Sequence, residues 1–164
     1  MTEPIHQKWA SAYFNGDYYF VVTNSGYRGC ARDPSGHEVH LVGSATDEQL
    51  GEGVLKALSG SRFLKMEEID EFFSLKEIMS NYENWVASLL KRYKYKTRRA
   101  LFKNMMLCNI TVVAETMEIG PTRHEKLEAW GQERDDEIEQ VLLSADSSAQ
   151  EIGKALRTAF DRCE

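Results

Sequence analysis

Two stretches of the chain show the same change of hydrophobic period. Residues 39–60 and 141–162 each begin with apolar residues at alternate positions and continue with apolar residues spaced three and four apart. Alternation predicts a strand with a buried face, and the longer period predicts an amphipathic helix. The two stretches align at a constant offset of 102 residues. The sequence therefore predicts one strand-turn-helix unit that is used twice.

Both units carry the same helix start signal and the same helical glycine. The start signal is a capping box, in which a hydroxyl accepts from an amide of the first turn and the side chain three residues later reaches back. The pairs are Thr46 with Gln49 and Ser148 with Glu151. Gly51 and Gly153 occupy equivalent helical positions, where glycine costs about 1 kcal/mol relative to alanine. Their recurrence predicts a helix that lies close to a strand or to the other helix.

The segment before the first unit reads as strands separated by turns. Aromatic residues up to Phe14 and the β-branched run 18–23 flank Asn15-Gly16, which predicts a hairpin. Two further turns and a short strand between them complete this part. The turns are predicted at 24–26 and 33–36, and the strand is predicted at 27–31.

The middle of the chain is helical in pattern and is followed by more strands. Residues 66–92 predict one long helix or two consecutive helices, and Ser74 with Glu77 is a capping box that could start the second. Strands are predicted at 106–113 and 115–120, followed by a short helical link at 124–130. One strand face is predicted to carry Cys108, Ile110, Val112 and Ala114.

These elements predict an α/β fold of the α+β sandwich-like kind, with a central, mostly antiparallel sheet and helices packed on it. Residues 1–164 are expected to form a single domain, with similar halves at about 9–60 and 105–164 joined by a helical segment at 61–103. Its composition, 42% hydrophobic and 28% charged, is that of an ordinary globular protein. No apolar run approaches the roughly 18 residues of a membrane span, and no signal sequence is seen, so we expect a cytoplasmic protein.

The net charge of −6 is unevenly distributed. Residues 61–103 hold ten basic and six acidic residues, whereas residues 104–164 hold six basic and thirteen acidic residues. Two acidic clusters are candidate docking sites for a basic protein. They are Glu133, Asp135, Asp136, Glu137 and Glu139, and Glu67, Glu68, Asp70 and Glu71. The alternatives are a solvated loop for the first cluster and a favourable helix-dipole position for the second.

Catalytic and metal-binding motifs are absent from the sequence. It contains no G-x-S-x-G, no P-loop and no complete G-x-G-x-x-G. His37 and His40 are three residues apart across a strand entry and are expected to face solvent, not to bind metal. The three cysteines are far apart in sequence and are expected to be reduced, and Cys108 and Cys163 are expected to be buried, inert thiols. We therefore expect no cofactor and no enzyme, although a hydrolase assembled around Cys108 or His124 stays open as an alternative.

A basic segment with interleaved tyrosines supports a different function. Residues 91–99 read K-R-Y-K-Y-K-T-R-R, so their cations could contact phosphates while Tyr93 and Tyr95 stack on bases. The alternative is a solvated helix end whose tyrosines pack inward, because cations are favoured at a helix C-terminus. A nucleic-acid-binding protein that uses residues 91–103 is thus the second functional hypothesis.

Several short motifs together resemble the immunity proteins of bacterial contact-dependent growth inhibition systems. They cover nearly the whole chain: Y-F-N-G-D-Y-Y at 13–19, A-T-D-E-Q-L-G-x-x-V-L-x-A-L at 45–58, Y-x-Y-K at 93–96, I-G-P at 119–121 with His124, Lys126, Leu127 and Trp130 after it, and E-I-G-K-A-L-R-T-A-F-D-R-C at 151–163. The motifs are structural in kind and include no catalytic residue.

The resemblance implies a protein that binds and neutralises the C-terminal toxin domain delivered by a neighbouring cell, commonly a nuclease. Such immunity proteins are not enzymes, and no interface residue carries over because each member matches its own toxin. An acidic inhibitor would associate rapidly with the basic groove of a nuclease. The two acidic clusters are therefore the predicted toxin-binding surfaces.

Overall fold

The computed structural model describes residues 5–132 and 138–164. This part of the chain forms nine strands and five helices. Their bounds are β1 Gln7–Phe14, β2 Tyr18–Gly26, β3 Cys30–Arg32, β4 Glu38–Val42, α1 Asp47–Ser59, α2 Met66–Phe72, α3 Leu75–Tyr93, α4 Arg98–Phe102, β5 Met106–Val113, β6 Thr116–Pro121, β7 Arg123–Lys126, β8 Ala129–Gly131, β9 Val141–Ser144 and α5 Ala149–Asp161.

Seven of the described strands form one antiparallel sheet. Its order is β3-β2-β1-β5-β6-β9, and β4 pairs with the first half of β2 on the edge whose second half pairs with β3. The hairpin β1–β2 turns at Asn15-Gly16, where Asn15 Oδ1 accepts from the amides of Asp17 and Tyr18 and Gly16 has a φ of +98°. The predicted fold class, a mostly antiparallel sheet with packed helices, is confirmed.

Both predicted strand-turn-helix units are present, as β4–α1 and β9–α5. Thr46 caps α1 with both bonds of a capping box, whereas Ser148 caps α5 by accepting from the Glu151 amide and instead donates to the Glu151 carboxylate. The two helices lie together on one sheet face. They form the first core with apolar side chains of the four central strands, among them Val21 and Ile110.

The equivalent glycines mark the point where α1 and α5 touch. A Cβ on Gly51 would lie 1.7 Å from the carbonyl oxygen of Ala149, and a Cβ on Gly153 would lie 1.8 Å from that of Asp47. The two contacts are equivalent to each other. Asp47 and Ala149, like Gly51 and Gly153, are separated by the 102-residue offset of the two units. The predicted close approach is therefore between the two helices, and only glycine leaves enough space for it.

The opposite face of the sheet is covered by α3 and α4, which lie against β1 and β2. This second core contains Phe20, Trp85, Leu89 and Phe102. Of the two predictions for residues 66–92, one long helix or two consecutive helices, the second is confirmed. Ser74 is the N-cap of α3. Its hydroxyl makes no capping hydrogen bond, so the predicted capping box at this position is wrong.

The turn predicted at residues 24–26 is wrong, because β2 continues through it to Gly26. Asn24 Nδ2 donates to Ser11 Oγ over 2.7 Å, and Ser25 Oγ donates to Asp33 Oδ2 over 2.7 Å. These buried polar side chains are satisfied by neighbouring parts of the chain, so the strand need not end there. The short strand predicted at 27–31 begins later, at Cys30.

The helical link predicted at residues 124–130 is wrong too. The chain forms the hairpin β7–β8, in which His124 and Trp130 are paired and their rings stack with centroids 4.8 Å apart. Trp130 Nε1 also donates to the carbonyl of Met105 over 2.9 Å. In β5, Cys108 and Ile110 are buried on the predicted face, but Ala114 has a φ of +53° and belongs to the following turn.

Candidate functional site

Only some of the acidic residues predicted as docking sites belong to the described part of the chain. Residues 133–137, with four carboxylates of the first cluster, lie outside the described residues. Glu139 is exposed, and its carbonyl accepts from Arg162 over 3.1 Å. The second cluster lies on α2. There Glu67, Asp70 and Glu71 are exposed, and Glu68 accepts from the amide of Lys65.

A cavity of about 570 Å³ adjoins this acidic helix. It is lined by β3 and the β3–β4 connection, by the end of α2, by the chain from Ser74 to Trp85 and by Tyr13 of β1. The apolar residues of its lining are Ala31, Pro34, Phe72, Ile78 and Trp85. Glu71 and Glu77 contribute exposed carboxylates to the same lining. The structure thus joins one predicted site residue, Glu71, to an apolar cavity.

The helices that enclose the cavity also expose large apolar side chains. Met66 of α2 and Leu75 and Met79 of α3 have exposed fractions of 69%, 71% and 59%. A partner that covers such side chains would gain the free energy of removing apolar surface from water. The combination of acidic and apolar groups makes the α2–α3 surface the candidate functional site.

Within the cavity, Arg32 is held by contacts with α3. Its Nη2 donates to the carbonyl of Asn81 over 3.1 Å, and its Cζ lies 5.1 Å from the ring centroid of Trp85. The indole of Trp85 in turn donates to Glu38 of β4. Burial raises the pKa of Tyr13 to about 12, although the positive charge of Arg32 opposes this shift. Tyr13 is therefore a neutral hydroxyl at physiological pH.

Asp33 supports the connection between β3 and β4 beside the cavity. Its side chain is buried and accepts from Ser25, Ser35 and Arg62, with the Arg62 Nε at 2.8 Å. Burial by itself would raise the pKa of this carboxyl. The hydrogen bonds outweigh it and lower the pKa to about 2.

We expect Asp33 to stabilise the fold by about 2 kcal/mol above pH 4 and to lose this contribution as the pH falls to about 2. Because the pKa of Asp33 is lower in the folded state, the unfolded chain takes up a proton on this carboxyl at a higher pH than the folded chain does. The free energy of unfolding therefore decreases as the pH is lowered from about 4 to about 2. Urea unfolding of the wild type and of Asp33→Asn at pH 6, 4 and 2 measures the effect. The difference between them should shrink towards pH 2, and a pH-independent difference would contradict the assignment. Asp146→Asn, on an exposed loop, is the matched control.

The basic segment ends α3 and passes into α4. Tyr93 stacks on Tyr18 with centroids 4.1 Å apart, and its hydroxyl bonds to His40 Nδ1. Tyr95 donates to Asp17 over 2.7 Å and accepts from Asn15. Because both tyrosines are engaged within the fold, the structure favours a helix end with inward-packed tyrosines over a base-stacking surface. The prediction that His40 faces solvent is wrong, because its side chain is only 10% exposed.

The other open alternative was a catalytic site around Cys108 or His124. Cys108 is fully buried with its Sγ 3.7 Å from the Sγ of Cys163, and burial raises its pKa far above that of a reactive thiol. His124 Nε2 lies 2.9 Å from the carbonyl oxygen of Leu127. These contacts describe a structural thiol and a structural histidine.

Within residues 5–132 and 138–164, no three His, Cys, Asp or Glu side chains are grouped closely enough to hold a metal ion. None of the described helices has both the length and the apolar character needed to cross a bilayer.

Comparison with known proteins identifies relatives of this chain. The model of the CdiI family, described as CDI immunity protein, matches residues 8–163. The chain belongs to the CdiI family. Its sequence is 39% identical over 176 aligned positions to the immunity protein CdiI-YPIII of Yersinia pseudotuberculosis serotype O:3 (strain YPIII), with coverage of 100% of this chain and 99% of the relative.

Two solved structures have the same fold as this CdiI protein. One is a CdiA-CT/CdiI toxin and immunity complex from Yersinia pseudotuberculosis, with a TM-score of 0.90 and 39% identity over 98% of this chain and 99% of the other. The second is a protein of unknown function from Neisseria meningitidis, with a TM-score of 0.91 and 39% identity over the full length of both chains. The predicted resemblance to immunity proteins of contact-dependent growth inhibition (CDI) is confirmed.

The cavity itself was not predicted from the sequence of this CdiI protein. Glu77 stood out only as part of a capping box, and Arg32 and Trp85 carried no sequence signal of a site. The cavity arises because β3 and α3, about 50 residues apart in the chain, meet across the sheet. A pattern of local periodicity contains no information on that meeting.

Proposed function

We propose that this CdiI protein binds and neutralises a cognate CDI toxin domain by stoichiometric protein–protein inhibition, without catalysis of its own. Membership of the family supports this function, as does the likeness to a chain solved in a toxin and immunity complex. The engaged states of Cys108 and His124 are consistent with a non-enzymatic role.

The toxin is proposed to bind the α2–α3 surface. The observation that carries this assignment is the apolar cavity with Glu71 and Glu77 in its lining, beside exposed apolar residues of the same helices. Tight protein interfaces combine a pocket for an anchoring side chain with a polar rim. The α2–α3 surface offers both.

The toxin is further proposed to be a nuclease that the immunity protein meets in the cytoplasm. A nuclease needs a basic surface for its substrate, and the net charge of −6 on this chain would attract such a surface. The acidic segment 133–139 is proposed as a second contact, of which Glu139 is exposed. Complementary charge would chiefly increase the rate of association and discriminate against wrong partners.

A growth assay tests the function directly. Cells that produce the toxin domain encoded beside this gene should survive only when this chain is co-produced, and the two proteins should purify as a complex that dissociates at high salt. If the toxin kills despite the immunity protein and no complex forms, the chain does not inhibit that toxin.

Charge reversal tests the proposed surface. The double variant Glu71→Lys, Glu77→Lys should weaken toxin binding roughly 10- to 100-fold at low salt, mainly through slower association, because rim charges act mostly on encounter. Biolayer interferometry at two salt concentrations measures both rate constants. The reagents are the immobilised toxin domain and the 164-residue chain.

The matched control is the double variant Glu52→Lys, Glu115→Lys. It makes the same change in net charge at exposed positions on α1 and on the β5–β6 turn. This control should bind within about threefold of the wild type. Equal losses in the two double variants would mean that total charge matters and that the α2–α3 surface is not the contact.

A further inference from the structure

The cavity contains a cation although its outer residues are acidic. Arg32 reaches it from β3 and uses one guanidinium N–H on the carbonyl of Asn81. Among the ion pairs of the described residues, none joins Arg32 to a carboxylate within 4.0 Å. A guanidinium carries five N–H donors, so donors remain available to a group that enters the cavity.

The environment of Arg32 is that of a desolvated charge. Burial lowers its pKa, and the negative charge of Glu38 opposes that effect. Arginine nevertheless stays protonated in proteins. A partly buried guanidinium without a direct carboxylate partner can stabilise an anion that enters the cavity, because charge-assisted hydrogen bonds are stronger where water is excluded.

Tyr13 adds a second donor to the same cavity. Its hydroxyl keeps its proton at neutral pH, and its ring packs beside Trp85 with centroids 5.6 Å apart. A guanidinium and a neutral hydroxyl can each donate a hydrogen bond to an oxygen of a carboxylate. The apolar walls match the methylene groups that would carry that carboxylate.

We propose that Arg32 and Tyr13 form a specificity site that receives a carboxylate side chain of the toxin, carried on a segment whose neighbouring side chains are basic. The inference rests on the proposed function. The order of charges supports it, because Glu71 and Glu77 in the lining favour cations beside the entering group while Arg32 favours an anion within. The same acidic residues repel a polyanion such as nucleic acid.

Binding of the full-length chain to its cognate toxin domain tests the site. Arg32→Gln should weaken binding roughly 100-fold, mostly through faster dissociation, because truncating one partner of a buried charged pair leaves the other unpaired. Arg32→Lys should lose less, since a lysine keeps the charge but lacks the planar fork. Arg28→Gln, at an exposed position outside the cavity, is the matched control and should bind like the wild type.

Tyr13→Phe keeps the ring and removes only the hydroxyl, so it tests the site even where Arg32→Gln unfolds the chain. We expect a roughly tenfold weaker complex with an unchanged melting temperature. A charge exchange separates recognition from structural support. The Arg32→Glu variant should fail to neutralise the wild-type toxin. It should neutralise a toxin in which one aspartate or glutamate is replaced by lysine.

The outcomes distinguish the inference from the function on which it rests. If the wild-type chain fails to bind the toxin domain, the proposed function is wrong and this site falls with it. If the wild type binds while folded Arg32→Gln or Tyr13→Phe binds equally well, the function stands and the specificity site is overturned. A loss of binding that no lysine replacement in the toxin reverses also overturns it.

Discussion

Replacing Gly153 by alanine is expected to destabilise the fold by about 3 kcal/mol, despite the higher helix propensity of alanine. The new Cβ would lie 1.8 Å from the carbonyl oxygen and 2.5 Å from the carbonyl carbon of Asp47. Both atoms are backbone, so the clash is relieved only if α5 moves away from α1. That movement would open the first core, in which Ile152 and Leu156 are fully buried. Urea unfolding followed by circular dichroism gives the change in unfolding free energy.

Gly53→Ala is the matched control within α1. Its Cβ would meet side chains only, with Val39 Cγ1 at 3.3 Å and Leu41 Cδ1 at 3.6 Å, and these can adjust. We expect a change within about 1 kcal/mol of the wild type. Equal stabilities for Gly153→Ala and Gly53→Ala would contradict the close helix contact.

The second large effect is expected for Phe20→Ala, which should cost about 4 kcal/mol of stability. Phe20 is fully buried in the second core, stacked on Tyr13 with centroids 4.9 Å apart and edge-on to Trp85 at 6.0 Å. Its loss leaves a hole beneath two residues of the cavity lining. Toxin affinity should therefore fall together with the melting temperature, as calorimetry and binding assays on the same preparation would measure.

Phe20→Leu controls for the loss of volume. It retains most of the buried hydrocarbon and should cost no more than about 1.5 kcal/mol. If Phe20→Ala cost less than that, the core would have to collapse around the vacated space. The cavity would then not depend on a rigid support from β2.

The sequence predicted those elements whose signals are local. Thr46 and Ser148 start helices because a hydroxyl at that position satisfies an otherwise free amide, and this chemistry is the same in any fold. Asn15-Gly16 turns the first hairpin for an equally local reason, the tolerance of Gly16 for a positive φ. The strand at 106–113 followed from an apolar and β-branched run with Cys108, Ile110 and Val112 on one face.

Predictions failed where partners distant in sequence decide the conformation. Residues 24–26 look like a turn, yet Ser25 meets Asp33 and Asn24 meets Ser11, and these contacts keep the strand extended. His124 to Trp130 forms a hairpin because Trp130 reaches Met105. The site depends even more on such contacts. Composition identified the acidic α2, but the cavity beside it, with Arg32 and Trp85, exists only after the sheet and α3 have met.

The helix contact at Gly51 and Gly153 has a consequence for how the protein can change over evolutionary time. The two repeated units bury each other as the subunits of a symmetric dimer do, and no described member of their shared core comes from residues 61–103. Substitutions on α2 and the start of α3 can therefore accumulate without loosening this internal dimer. The arrangement separates the core of the fold from the proposed toxin-binding surface, so that surface can change its side chains at little cost to the stability of the core.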